Sequence, residues 1–244
     1  MTPSFDLSST EPSRSWEDQW RKSFPEGATL SVIVPVYNER YLVVELLTQL
    51  LAVSVPGIAR LEIVVVDDGS NDGTTAVVQE FASAHGDRIQ VIVQPKNEGK
   101  GAAIRTGVDA TTGDLIVIQD ADLEYDPRDL STMVRPFLED SADVVYGSRF
   151  AASSPRRVLY FRHTLGNRIL TFLSNLLTEL NLTDVETCYK MFRASLLKSI
   201  PIRSNDFAFE IEITAKIAKR HCRVYEVPIS YRGRTYGEGK KIGW

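Results

Sequence analysis

The stretch Leu61-Glu-Ile-Val-Val-Val-Asp-Asp-Gly-Ser-Asn-Asp-Gly-Thr74 changes character at one point, where four β-branched residues run straight into carboxylates, amides and glycines. The Ile63–Val66 run is apolar on both faces, which suits a parallel strand covered by helices on either side. The polar string then sits at the strand's carboxyl end, where open parallel sheets bind their ligands. Thr74 opens a helical pattern reaching Ala84, with Asn71-Asp72-Gly73 as its capping lead-in.

The same alternation extends in both directions. Strands are predicted at Leu30–Val36, Leu61–Val66, Ile89–Gln94, Leu115–Gln119 and Asp143–Tyr146, with helices over Arg40–Ala52, Thr74–Ala84, Gly101–Ala110 and Pro127–Leu138. Asp126 before Pro127 is an N-cap followed by proline at the first helical position. This βαβ winding places the chain in the α/β class, with a mostly parallel central sheet flanked by helices. After Gly147 the alternation stops. A basic segment (Arg149, Arg156, Arg157, Arg162, Arg168) runs into an apolar-rich helix from about His163 to Leu180. A further helix over Phe209–Arg220, a strand at Val224–Pro228 and a Gly/Lys/Arg-rich tail follow.

Composition bounds the function. With 244 residues, 43% hydrophobic and 25% charged, the chain is an ordinary globular protein and neither a disordered nor a collagenous one. Its two cysteines, Cys188 and Cys222, lack the spacing of a disulfide scaffold or a zinc site and point to a reducing, cytosolic compartment. The nearest approach to a membrane span, Leu42–Val55, is interrupted by Glu45, Thr48 and Gln49. Residues 1–27 have no apolar signal region and read as a flexible lead-in to one domain over 28–244. The net charge of −4 conceals a split: residues 1–148 hold 11 Lys and Arg against 24 Asp and Glu (−13), and residues 149–244 hold 17 against 8 (+9). Two halves of opposite sign suggest a different partner for each.

The strand exits carry the candidate chemistry. Asp120 and Asp122, two apart at a strand end, can aim both carboxylates at one hard divalent cation while leaving positions for phosphate oxygens and water. Asp67 and Asp68 suit either helix capping or acceptance of a ring N–H from uracil or guanine, with Tyr37 as a stacking face. Lys100 reads as a mobile cation for phosphate or as a surface lysine. Gly99-x-Gly101 continues to Ile104 without a third glycine, and no P-loop string exists, so a dehydrogenase or P-loop ATPase is disfavoured.

Four strings resemble the family 2 glycosyltransferases of GT-A fold: Ser31-Val-Ile-Val-Pro-Val-Tyr-Asn-Glu39, Val66-Asp-Asp-Gly-Ser-Asn-Asp-Gly-Thr74, Asn97-Glu-Gly-Lys-Gly101 and Asp120-Ala-Asp-Leu-Glu124. Gly147-Ser-Arg149, Thr183 to Arg193, Phe207 to Lys216 and Glu226 to Lys241 are similar to the dolichyl-phosphate mannose synthase group within it. The resemblance covers residues 30 to 244 in order. It implies a donor-binding half, 28–148, and an acceptor and membrane-side half, 149–244, that includes a helical segment.

By the same resemblance, a GDP- or UDP-sugar is held by Pro35, Tyr37, Glu39, Asp67, Asp68, Lys100, Asp120 and Ala121. Mg²⁺ or Mn²⁺ is held through Asp120 and Asp122, joined by Glu124, which stands where many members carry glutamine. The implied reaction is hexose transfer with inversion to a polyprenyl monophosphate. Arg149, Arg193 and Lys190 are the candidate acceptor clamps, and Arg232 and Arg234 belong to a tail that closes over the diphosphate. Catalysis is assigned to Asp122, Arg149 and Asp184; Asp184 or Glu186 would serve as general base only if the acceptor were a hydroxyl, and otherwise as a cap or ion-pair partner. The segment from Arg156 to Leu180 suits either peripheral docking on the cytoplasmic membrane face or core packing. Many members of the group continue past the point matching Trp244 into a further helix or transmembrane segments. The expected partners include no nucleic acid, and the basic, apolar second half leaves room for a homo-oligomer. The rival readings are a family 2 transferase acting on a sugar or polysaccharide hydroxyl, a non-catalytic nucleotide-sugar-binding protein, and a nucleotidyltransferase, which would need a glycine-rich loop after the first strand.

Overall fold

The computed structural model describes residues 25, 27–151, 157, 160–235 and 237. The expected lead-in (apart from residues 25 and 27), Arg156, Lys240 and Lys241 lie outside them. The strands are β1 (Ala28–Val36), β2 (Ile58–Asp67), β3 (Ile89–Val93), β4 (Leu115–Ile118), β5 (Val144–Ser148), β6 (Lys190–Arg193) and β7 (Val224–Pro228). The α-helices are α1 (Val43–Ala52), α2 (Thr74–Ser83), α3 (Lys100–Ala110), α4 (Leu130–Glu139), α5 (Phe161–Thr178), α6 (Ala194–Lys198) and α7 (Phe209–Ala218).

The seven strands form one sheet in the order β3-β2-β1-β4-β6-β5-β7. Pairings β1 with β2, β1 with β4, β2 with β3 and β5 with β7 are parallel, and β6 runs antiparallel to both of its neighbours. The strand order reverses around β1, so the exits of β1, β2 and β4 share one edge, the place where a ligand crevice forms in an open α/β sheet. Helices cover both faces. Val32, Ile33 and Val34 of β1 and all of β4 are fully buried, and α1 turns Val43, Leu46, Leu47 and Leu50 inward at helical spacing. Each such side chain contributes about 1.5–3 kcal/mol when removed from water, so this core holds the carboxyl edge rigid.

One strand departs from the sequence reading, and one helix narrows it. Strand β6 escapes it because the run is four residues long and begins with Lys190, a charged residue that is nonetheless fully buried. Helix α5 has the expected position, and of the two alternatives read for it core packing does not hold, since its apolar side chains are largely exposed. Its fully covered residues are Thr171 and Ser174, whereas Phe161, Phe172, Leu176 and Leu177 are 76%, 65%, 65% and 83% exposed. Polar side chains hold it to the body: Thr171 Oγ1 accepts from Val185 N, Asn175 bonds both N and O of Leu182, and Asn167 donates to Asp184. No helix among the described residues is long and apolar enough to cross a membrane.

Candidate active site

The loop after β1 is stitched to the loop after β2. Asn38 N donates to Ser70 Oγ (2.9 Å), Asn71 N to Asn38 Oδ1 (2.9 Å) and Glu39 N to Thr74 Oγ1 (3.0 Å). Asn38 takes a left-handed backbone (φ 54°), a conformation its short amide tolerates. Tyr37 is left 39% exposed at the rim.

Asp67 and Asp68 have structural tasks that the sequence does not disclose. Asp67, fully buried, accepts from Ser70 N (3.0 Å) and Thr75 Oγ1, while Asp68 accepts from Gln94 Nε2, Glu98 N (2.8 Å) and Gly99 N (2.8 Å). A nucleobase N–H would have to share an oxygen that is already engaged. Both carboxylates anchor the loop that delivers Lys100. Gly99 in that loop has φ +101°, and a Cβ there would strike Asn205 O, so glycine is required for the loop to lie against residues 204–206.

At the exit of β4, Lys100 Nζ lies 2.8 Å from Asp120 Oδ1 and 3.1 Å from its Oδ2. Burial would lower the Lys100 pKa, but Asp120 and Glu210 hold it well above the ordinary value. Asp122 Oδ1 accepts from Glu124 N (3.1 Å), and Arg234 Nη2 stands 3.2 Å from Asp122 Oδ2 and 3.7 Å from Glu39 Oε1. Burial, reinforced by the charges of Asp120 and Glu124, pushes the Asp122 carboxyl up to about 7. The edge therefore carries more negative charge than Lys100 and Arg234 neutralise.

Glu124, expected to join the metal set, has both carboxylate oxygens engaged within the chain. It is 8% exposed, and its oxygens accept from Tyr231 O–H (2.6 Å) and Arg234 N (2.7 Å). With the bridge between Tyr125 and Tyr231 and the bond from Arg232 N to Glu124 O, it straps residues 230–235 across the edge. Among the described residues no three His, Cys, Asp or Glu side chains converge as a metal cage. The pair Asp120 and Asp122 nevertheless fits a hard dication completed by ligand oxygens: both carboxylates are partly open, and their charge is incompletely offset. Arg234 Nε–H is buried with no hydrogen-bond acceptor, an orphan donor at the same place.

On the far side of the crevice Arg149 makes a bidentate contact with Asp184, at 2.6 Å and 2.7 Å, and its guanidinium lies 5.2 Å from the Tyr231 ring centre. Asp184 is fully buried and also accepts from Arg149 N and Asn167 Nδ2, both at 3.1 Å. Asp184 is thus engaged as an ion-pair partner of Arg149, the alternative to its reading as a base. Lys190, expected as an acceptor clamp, is instead fully buried and bonded to Thr187 O and Glu210. Arg193 pairs in register with Leu115 at the amino end of β4 and donates to Ala142 O (2.9 Å), on the opposite edge of the sheet. Arg232 is exposed beside the strap. Glu210 and Tyr231 join the site from distant parts of the chain, and Gln119, next to Asp120, accepts at its Oε1 from Tyr189 O–H (2.6 Å). The signal for Glu210 was a carboxylate set in the apolar run Phe209-Glu-Ile-Glu-Ile213.

The family model described as Glycosyl transferase family 2 matches residues 31–200. The chain belongs to this family. Among family 2 relatives it is 31% identical over 225 residues to polyprenol monophosphomannose synthase of Mycolicibacterium smegmatis, covering 90% of this chain and 83% of that one. It is 27% identical over 215 residues to dodecaprenyl-phosphate galacturonate synthase of Rhizobium johnstonii, covering 88% of this chain but only 62% of that longer relative. In fold it is similar to glucosyl-3-phosphoglycerate synthase of Mycobacterium tuberculosis, crystallised with Mn²⁺, UDP and phosphoglyceric acid (TM-score 0.66, 23% identity, 87% of this chain and 73% of that one).

Proposed function

We propose that this family 2 chain transfers a hexose, with inversion, from a GDP- or UDP-sugar to a polyprenyl monophosphate at a membrane surface. The observation that carries the acceptor is the Arg149–Asp184 pair. The pair commits the Nε/Nη2 edge of the guanidinium to Asp184, leaves its Nη1 edge to meet a phosphate, and engages the carboxylate that a hydroxyl acceptor would need as base. The names of the two curated relatives, both polyprenyl-phosphate sugar synthases, support the same reading.

The donor nucleoside would lie against Pro35, Tyr37, Glu39 and Ala121, in the frame that Asp67 and Asp68 build. Asp120 and Asp122 would hold Mg²⁺ or Mn²⁺, whose charge would offset that of the departing diphosphate. Lys100 and Arg234 add donors aimed at the same oxygens. Arg149, with Arg232 at the rim, orients the acceptor phosphate so that one of its oxygens bonds to the anomeric carbon as the carbon–diphosphate bond breaks. Phosphate is already anionic at neutral pH, so no proton has to be removed and positioning does the work.

The apolar residues of α5, together with the basic Arg157, Arg162 and Arg168 near them, fit a chain lying on the anionic cytoplasmic membrane face. A second reading, transfer to a sugar hydroxyl, is favoured by Glu186. Its carboxyl, raised by burial and by Glu210, accepts no hydrogen bond among the described residues.

The test is an assay of the purified protein with Mn²⁺ and a panel of UDP- and GDP-sugars, with and without a polyprenyl monophosphate. Release of one nucleoside diphosphate only when the lipid is present supports the proposal. Turnover that needs a glycan alcohol instead transfers the assignment to Glu186 and the hydroxyl reading.

A further inference from the structure

Beneath the site lies a buried row of alternating charge whose inner half, Glu210 and Lys190, the proposed reaction does not itself use. Asp120 contacts Lys100, Lys100 Nζ lies 3.7 Å from Glu210 Oε1, and the other Glu210 oxygen is bonded to Lys190. Side-chain exposure falls along the row from 24% at Asp120 to 13%, 4% and 0%. Lys190 is fixed by Thr187 O and by the Tyr146 ring, 5.1 Å from its Nζ. Tyr146 O–H meets Thr214 Oγ1 at 2.9 Å, and Thr214 Oγ1 donates to Glu210 O at 2.7 Å, closing the circuit onto α7.

We propose that Glu210, clamped by Lys190, is a positioning residue that keeps Lys100 aimed at the donor diphosphate when a cation claims Asp120. The inference rests on the donor site proposed above. Lysine is a point charge on a flexible four-carbon stem, so a single partner does not fix its ammonium. Asp120 is a poor sole anchor, because the cation and Lys100 compete for its oxygens. Glu210 is the second anchor, out of reach of solvent and held by a cation that has no other task. Core stability does not explain the pair, since apolar residues of the same volume in place of a buried ion pair are often neutral or stabilising.

The experiment measures Kd for UDP and GDP with Mn²⁺ by calorimetry, without acceptor, on the full chain and its variants. Glu210→Gln keeps the volume and leaves Lys190 an acceptor oxygen; Lys190→Met with Glu210→Gln removes both buried charges, so a folded protein is obtained even if the single change is poorly tolerated. Both should weaken the nucleotide by about tenfold, the size of one charge-assisted contact. In a Lys100→Ala background the same changes should add nothing, because the group they position is gone. Recovery of wild-type affinity in the double variant, or full additivity with Lys100→Ala, would overturn the proposal and leave the donor site intact. A wild-type chain that binds neither nucleotide with Mn²⁺ would overturn the donor site and this inference with it.

Discussion

Replacing Asp184 with Asn separates orientation from proton abstraction. The side chain is fully buried and accepts two guanidinium contacts from Arg149, at 2.6 Å and 2.7 Å, plus Arg149 N and Asn167 Nδ2. The amide keeps one acceptor oxygen but turns an N–H₂ toward one of these donors, and it leaves Arg149 without its counter-charge. Breaking one side of a buried pair costs about 3–5 kcal/mol, and the retained oxygen limits the loss to about 3 kcal/mol. For a domain of this size that lowers Tm by roughly 6–12 °C, measurable by calorimetry. In steady-state kinetics with polyprenyl phosphate, KM for the lipid should rise about tenfold, as expected for a loosened phosphate clamp, with kcat less affected. The pH–rate profile should keep its shape, because no proton leaves the acceptor. An unchanged Tm would refute the structural role, and a kcat collapse that removes the acidic limb of the profile would show that Asp184 is a base.

Asp122→Ala should lower transfer by at least about 10³-fold, as expected when a ligand to catalytic charge is removed, yet leave Tm within about 1 °C because the loop contributes little core; normal turnover that still requires the cation would contradict the assignment. Glu212 is depressed from 4.5 to about 2: burial opposes the shift, but bonds from Lys216, Ser204 and Arg203 outweigh it. A lowered carboxyl stabilises the fold above its unfolded pKa, and that contribution is lost as pH falls from about 4.5 to 2, so Glu212→Gln should lower Tm at pH 7 and flatten its decline across that window in a thermal-shift series. Phe172→Glu with Leu177→Glu, at positions 65% and 83% exposed, should abolish sedimentation with anionic vesicles while leaving Tm unchanged; a large Tm loss would mean that this face is covered in solution.

The sheet and the strand-exit loops are legible in the sequence because apolar β-branched runs ending in Asp, Asn and Gly encode both strand and exit. Val32–Val34, Ile63–Val66 and Leu115–Ile118 are each buried in a parallel ladder, and Lys100, Asp120 and Asp122 come together at the edge their spacing predicts. Charges that pair inside the protein are not legible. Lys190 looks like a surface cation until Glu210, twenty residues on, is seen against it. Glu124 reads as a third metal ligand because its partners, Tyr231 and Arg234, lie more than a hundred residues away. Periodicity locates α5, but which of its faces turns inward depends on Thr171, Asn167 and Asn175, three side chains whose partners no local pattern reveals.

The strap over the β4 exit bears on the order in which the molecule is finished. Its bonds to Glu124 and Asp122 span sequence separations of 107 to 112 residues, so closing them has an entropic cost that the local βαβ units do not meet. During synthesis the strands β1 to β6 emerge before Tyr231 and Arg234 exist. A nascent chain therefore exposes an acidic edge that Lys100 offsets before Arg234 is made, and the site matures after the framework that supports it.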